Sequence, residues 1–116
     1  MNKKLKAKWI KTLLSGEYVQ GKEYLRRRAG GSTPTKYCCL GVLCEVAGLE
    51  FKRGTDYCGR AAYGYILPNG TFVANNEVEA IGIAFGFGRE VALDLANKND
   101  RGTTFGELVR TIRAAV

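Results

Sequence analysis

The sequence predicts a small α+β fold for residues 1–116: one domain, with a buried central helix, three or four other helices and a short β-hairpin or small antiparallel sheet. Three observations lead there. Residues Tyr37-Cys38-Cys39-Leu40-Gly41-Val42-Leu43-Cys44-Glu45-Val46-Ala47-Gly48 are apolar or small apart from one carboxylate. Stretches near both ends carry apolar residues at helical spacing. Leu67-Pro68-Asn69-Gly70 lies between two β-prone runs, and Asn-Gly in that setting is a strong local hairpin signal.

In the central segment Leu40, Leu43, Cys44 and Ala47 repeat at i, i+3, i+4 and i+7, while Cys39, Val42, Val46 and Leu49 fill the flanking face. A helix that is apolar nearly all round belongs in a core, and this one is too short for a membrane span of about 20 apolar residues. Thr35 or Lys36 is expected to open it, and Gly48 to follow its C-cap. Tyr37, Cys38, Gly41, Glu45 and Gly48 fall on one side, where the glycines let a neighbouring backbone or a bound molecule come close.

Residues 3–15 read as an amphipathic helix, with Leu5, Trp9, Ile10, Leu13 and Leu14 opposite Lys4, Lys8 and Lys11, ended by Gly16. Trp9 is its core anchor; a membrane-surface helix is the weaker alternative. Residues 15–28 read as a short extended segment, a turn at Gly21 and a return toward Arg26, Arg27 and Arg28. Residues 29–36 and 50–64 read as loops, and Tyr63–Ile66 with Thr71–Ala74 as a two-stranded ribbon. Short helices are expected over Glu77–Ile83 and Arg89–Asn97, with a turn at Asn97-Lys98-Asn99-Asp100-Arg101-Gly102. The last helix, Phe105–Ala115, opens with a capping box between Thr104 and Glu107.

Charge is distributed unevenly. The net charge is +7, yet residues 1–36 hold ten Lys or Arg against two Glu, while the remainder holds eight basic and nine acidic residues. Such a basic third attracts phosphate-bearing partners. Four cysteines and a charged Lys3–Trp9 stretch, unlike a secretory signal, point to a reducing, cytoplasmic setting without membrane association.

No histidine is present, which excludes imidazole-dependent catalysis and His-ligated metal sites. Cys39 and Cys44 would diverge by about 140° on a helix, and Cys38 and Cys44 by about 120°, so the thiols are read as packing and no metal site is expected. Gly86-Phe87-Gly88 before a helix could hold an anion on free N–H groups, although chain reversal is the preferred reading. No Walker sequence occurs, and no cofactor and no catalytic residue is assigned.

The candidate ligand-binding residues are Tyr18, Gln20, Gly21, Arg26, Arg28, Tyr37, Glu45, Asn99 and Asp100. Arginines beside Tyr18, Tyr24 and Tyr37 offer phosphate pairing with stacking surfaces. Strand alternation would send Arg27 away from Arg26 and Arg28. Glu45 is a candidate acid/base or acceptor for ribose hydroxyls, with a salt bridge to an arginine as the alternative. Asn99 and Asp100 could bind a ligand, though such residues more often satisfy loose backbone groups.

Three motifs are similar to a widespread family of small bacteriophage and prophage proteins: Trp9-x3-Leu13-x-Ser15-Gly16-x-Tyr18-x-Gln20-Gly21, Tyr37-Cys38-Cys39-Leu40-Gly41-Val42-Leu43-Cys44-Glu45, and Asn99-Asp100-x-Gly102-x-Thr104-Phe105-x-Glu107-Leu108. The resemblance runs nearly end to end but is poor over Phe51–Phe87; where the family often has a Trp-containing segment, this chain has Ala80-Ile81-Gly82-Ile83. It implies a phage accessory protein acting in the host bacterial cytosol, of a kind that commonly blocks host defence. The leading expectation is therefore a non-catalytic protein sequestering an anionic nucleotide-type signal. A nucleic-acid binder and a host-protein inhibitor are the alternatives, and a homo-oligomer is compatible with either.

Overall fold

Six consecutive residues of the central helix, Cys39 through Cys44, are buried, and the other elements are arranged around them. The computed structural model describes residues 1–28 and 30–116; of the loop expected over 29–36, Ala29 lies outside the described residues. In chain order the elements are α1 (Lys3–Ser15), β1 (Val19–Gln20), β2 (Arg26–Arg27), β3 (Lys36–Tyr37), α2 (Cys39–Val46), β4 (Phe51–Thr55), β5 (Ala61–Ile66), β6 (Phe72–Ala74), α3 (Glu79–Phe85), α4 (Arg89–Asp100) and α5 (Phe105–Ala115). This is the α+β architecture the patterns predict, with four helices beside the buried one.

The helical layer follows from the apolar stripes. α2 packs against α1 and α4, and α5 closes the layer by packing on the same two helices. Trp9 and Leu13 of α1 and Leu108, Val109 and Ile112 of α5 are buried in the common core. Trp9 is fully buried; its indole N–H donates to the Cys39 carbonyl at 2.9 Å and its ring stacks on Phe87 at 6.0 Å. A buried indole thus spends its one polar group on a backbone acceptor. Among the described residues no helix is long and apolar enough to cross a membrane.

Three of the predicted helix boundaries hold. Gly16 is left-handed (φ 75°) at the end of α1, and Gly48 (φ 74°) follows the α2 C-cap. The Thr104–Glu107 capping box forms in both directions. The Gly86-Phe87-Gly88 segment reverses the chain, the preferred reading: its own three N–H groups donate to the carbonyls of Gly82 and Ile83.

Other expectations are corrected. Thr35 and Lys36 do not open the central helix; Lys36–Tyr37 is a strand and Cys38 is the N-cap. The extended segment and its return are β1 and β2, and the end of the loop expected over 29–36 is a strand as well. β3 lies between them, parallel to β1 and antiparallel to β2, giving a mixed three-stranded sheet. Residues 50–64 are not a loop, because Phe51–Thr55 pairs antiparallel with β5 and makes the hairpin a three-stranded sheet. The β4 sequence has no alternating pattern to betray it, and its partner decides its state. α4 does not stop at Asn97 but runs through Asp100, because the buried Asn99 finds its partners inside the fold.

Gly41 is where α2 meets the β2 approach. A Cβ at this position would lie 1.8 Å from the Leu25 carbonyl oxygen, and Leu25 is itself fully buried. The close neighbour allowed by this glycine is therefore the protein's own backbone. Gly41→Ala must separate α2 from residue 25 or distort one of them, a cost of about 3 kcal/mol or more. Chemical denaturation should show that loss; wild-type stability in Gly41→Ala would refute the close packing.

Candidate functional site

Two amides hold the floor of the mixed sheet. Asn99, buried near the end of α4, donates to the Gly21 carbonyl at 2.7 Å and accepts from the Gln20 side chain at 2.9 Å and the Cys39 N–H at 3.3 Å. Gln20 also donates to the Thr103 carbonyl at 2.7 Å and accepts from the Phe105 N–H at 3.0 Å. Asp100 accepts from the N–H of Glu23, whose backbone is left-handed at φ 71°. Of the candidate ligand residues, Gln20, Gly21 and Asn99 thus have their polar groups engaged within the fold, and Asp100 has one carboxylate oxygen engaged.

The remaining five candidates divide between an aromatic cluster and the surface beside it. Tyr18 and Tyr37 meet edge to face at 4.8 Å. The Arg26 guanidinium lies 5.7 Å from the Tyr37 ring centre and 4.6 Å from that of Phe51. Its far side faces Glu45 at 3.7 Å, and the same carboxylate oxygen accepts from the buried Tyr65 hydroxyl at 2.8 Å. Glu45 therefore sits where the salt-bridge reading put it, orienting Arg26 from behind. Asn75 fixes the Arg26 backbone, its side chain accepting from the Arg26 N–H at 2.9 Å and donating to the Arg26 carbonyl at 2.6 Å.

The three arginines share a site after all. β2 spans only Arg26 and Arg27, so alternation acts on that pair alone and does not set the direction of Arg28. Arg27 lies over Tyr24 and Arg28 over Tyr63, and all three arginines border a recess of about 280 Å³ with Tyr24, Phe51, Tyr63 and Asn75. A second recess, of about 600 Å³, is lined by Gln20, Gly21, Lys22, Arg27, Arg28, Gly30, Thr33, Pro34 and Lys36. Arg27 and Arg28 belong to both.

Sequence reasoning misses Phe51, Tyr63, Asn75, Lys22 and Lys36 as site residues. Phe51 and Tyr63 sit diagonally across the β4–β5 pairing, with rings stacked at 5.7 Å, and that pairing has no sequence signal. Lys22 and Lys36 are distant in sequence but are drawn together at Gly21, where a Cβ would lie 2.6 Å from the Lys36 Cβ.

Burial raises the phenol of Tyr65 most strongly, and its hydrogen bond to Glu45 adds to this. Burial also raises Tyr18 and Tyr37; for Tyr18 the nearby Glu45 adds to the shift, and for Tyr37 the Arg26 charge opposes it. These phenols stay neutral and serve as stacking surfaces and donors. Burial pushes the Cys38 thiol up to about 11 and holds Cys39 and Cys44 well above the ordinary thiol range. All four thiols are free, and only Cys58 is exposed. Among the described residues no three His, Cys, Asp or Glu side chains are arranged to hold a metal ion.

Three measurements check these assignments. Asn99→Ala leaves the Gly21 carbonyl and the Cys39 N–H unpaired in the interior, so it should cost about 2–4 kcal/mol in a urea melt. A loss under about 1 kcal/mol would mean that the network is not structural. Stability should also fall at alkaline pH. The unfolded thiols ionise near about pH 8.5 while the buried ones do not, so the contribution is complete below that value and is lost as pH rises toward the folded pKa. The slope should reach up to about 1.4 kcal/mol per pH unit for each buried thiol. Melts under reducing conditions between pH 8 and about 10 test this, and a constant midpoint would contradict it. After the reductant is removed, a thiol dye should count one cysteine in the native protein and four after denaturation.

No curated protein and no solved structure matches this chain. A family profile does match, over residues 1–63, just over half of the sequence. That span carries α1 through β4, the whole lining described for the larger recess, and every lining residue of the smaller one except Asn75. The chain belongs to the family described as a domain of unknown function, DUF8296.

Proposed function

We propose that this protein is a non-catalytic binding protein for an anionic, nucleotide-type ligand, and that it serves a bacteriophage by sequestering such a signal in the host cytosol. The observation that carries the reading is the pair of recesses joined by Arg27 and Arg28, one bordered by aromatic rings and the other by cations. Arginine supplies charge-assisted hydrogen bonds to phosphate, and exposed aromatic faces supply stacking for a base. Tyr24 and Tyr63 are both partly exposed, at 39% and 42%, so their rings offer surface to a ligand. Glu45, the one carboxylate of the central helix, is engaged by Tyr65 and Arg26, which favours a positioning role over acid/base work.

Calorimetry against nucleosides, nucleotides, cyclic nucleotides and ADP-ribose derivatives tests the proposal. A ligand should bind, and Arg28→Ala and Tyr63→Ala should each weaken it about tenfold or more, the size expected for one charged hydrogen bond or one stacked base. Silence across the panel would reject it.

One observation favours nucleic acid as a second reading. Lys3, Lys4, Lys8 and Lys11 of α1 are exposed and form no ion pair among the described residues. A backbone-tracking interface would lose affinity with salt in proportion to the phosphates contacted, whereas a pocket for one small anion would show a shallow slope.

A further inference from the structure

The two recesses differ in chemistry in a way that narrows the ligand class, an inference that rests on the nucleotide reading above. The larger recess has four cationic side chains in its described lining, Lys22, Arg27, Arg28 and Lys36, together with the Thr33 hydroxyl, and no carboxylate. None of the four is in an ion pair with another described residue; the three ion pairs present use Arg26, Arg89 and Lys98. Arg26, by contrast, is paired with Glu45 and borders only the smaller recess. Cations meeting around an open space repel one another, and an anion placed there relieves that repulsion in proportion to its charge.

The smaller recess is the aromatic one of the two, with Tyr24, Phe51 and Tyr63 in its wall beside the arginines, whereas the larger has no aromatic ring in its described lining. Its size of about 280 Å³ and its exposed rings suit a planar base. Asn75 offers that base no free amide, since both ends of its side chain are bonded to the Arg26 backbone. Recognition there is by stacking, which tolerates different bases. The floor of the larger recess is held by the Gln20–Asn99 network, so the cations project from a fixed backbone.

We infer that the ligand is a nucleotide bearing more than one phosphate, with its phosphate chain in the larger recess on Lys22, Arg27, Arg28 and Lys36 and its base in the smaller, on the ring faces of Tyr63 and Tyr24 that Arg28 and Arg27 leave on turning to the phosphates. A phosphodiester carries one charge, and a single terminal phosphate roughly −1.5 to −2. Neither matches four unopposed cations, whereas a di- or triphosphate does.

The test is a calorimetric series in metal-free buffer at fixed salt: a nucleoside, its 5′-mono-, di- and triphosphates, its cyclic monophosphate, and inorganic tripolyphosphate as a base-free probe. Affinity should rise roughly tenfold for each added phosphate, as expected for an added charged hydrogen bond. Tripolyphosphate should compete with the triphosphate. In the double variant Lys22→Gln/Lys36→Gln, both at exposed positions, the series should flatten to within about threefold, with a normal circular dichroism spectrum. Tyr63→Ala should weaken every nucleotide by a similar factor and leave tripolyphosphate unchanged. Equal affinity for mono- and triphosphates would overturn this inference while leaving the nucleotide reading intact, and so would a series that stays steep in the lysine variant. Binding of tripolyphosphate but of no nucleotide would overturn the placement of the base. Failure of every member to bind would remove the underlying reading as well.

Discussion

A buried amide at the end of α4 ties together segments that lie far apart in the chain. Asn99 reaches the backbone after β1 and the first N–H of α2, and through Gln20 it reaches the loop and first turn leading into α5. Each of these backbone groups would be expensive to leave unpaired in the interior, so the amide pair dictates where β1 lies against the helices. The mixed sheet consists of two-residue strands, far too short to be stable alone, and it depends on this outside support. Gly41 supplies the other constraint by letting the Leu25 carbonyl rest against α2.

That support is what gives the arginine run a defined geometry. Side chains with several rotatable bonds lose entropy when they are held, and here Arg26 is held by contacts on several sides: Phe51 and Tyr37 rings, the Glu45 carboxylate, and Asn75 on its backbone. Arg27 and Arg28 have aromatic partners but no carboxylate, and their charge remains for a partner molecule. The contrast between one neutralised arginine and two open ones separates a structural role from a binding role within three consecutive residues. Glu45 has the same double aspect. It is a partly exposed carboxylate on a buried helix, and its partners, Tyr65 and Arg26, make it part of the scaffold behind the recess.

The family match and the site geometry converge on the same part of the chain. Residues 1–63 contain the amphipathic first helix, the mixed sheet, the central helix and the rings of Tyr24, Phe51 and Tyr63. The later helices contribute the Asn99 network and the apolar packing that holds the matched half in place.

Much of the helical framework could be read directly from residue order. The stripes of α1 and α5, the capping box at Thr104, the buried character of α2 and the Asn69-Gly70 turn are local properties, set by neighbours within about four positions in the chain. The absence of imidazole chemistry and the concentration of positive charge in the first 36 residues are likewise matters of composition. Tertiary structure alone decided the rest. Strands of two residues have no period to detect, β4 exists because β5 pairs with it, and Phe51 and Tyr63 reach the arginines only through that pairing. Residue order placed Gln20, Gly21, Asn99 and Asp100 among the candidates and favoured a backbone-satisfying role for Asn99 and Asp100, but could not say which backbone groups they would meet or that Gln20 would join them. Whether a polar group meets a ligand or the protein itself depends on what the fold brings within about 3 Å of it, and that distance is a property of packing.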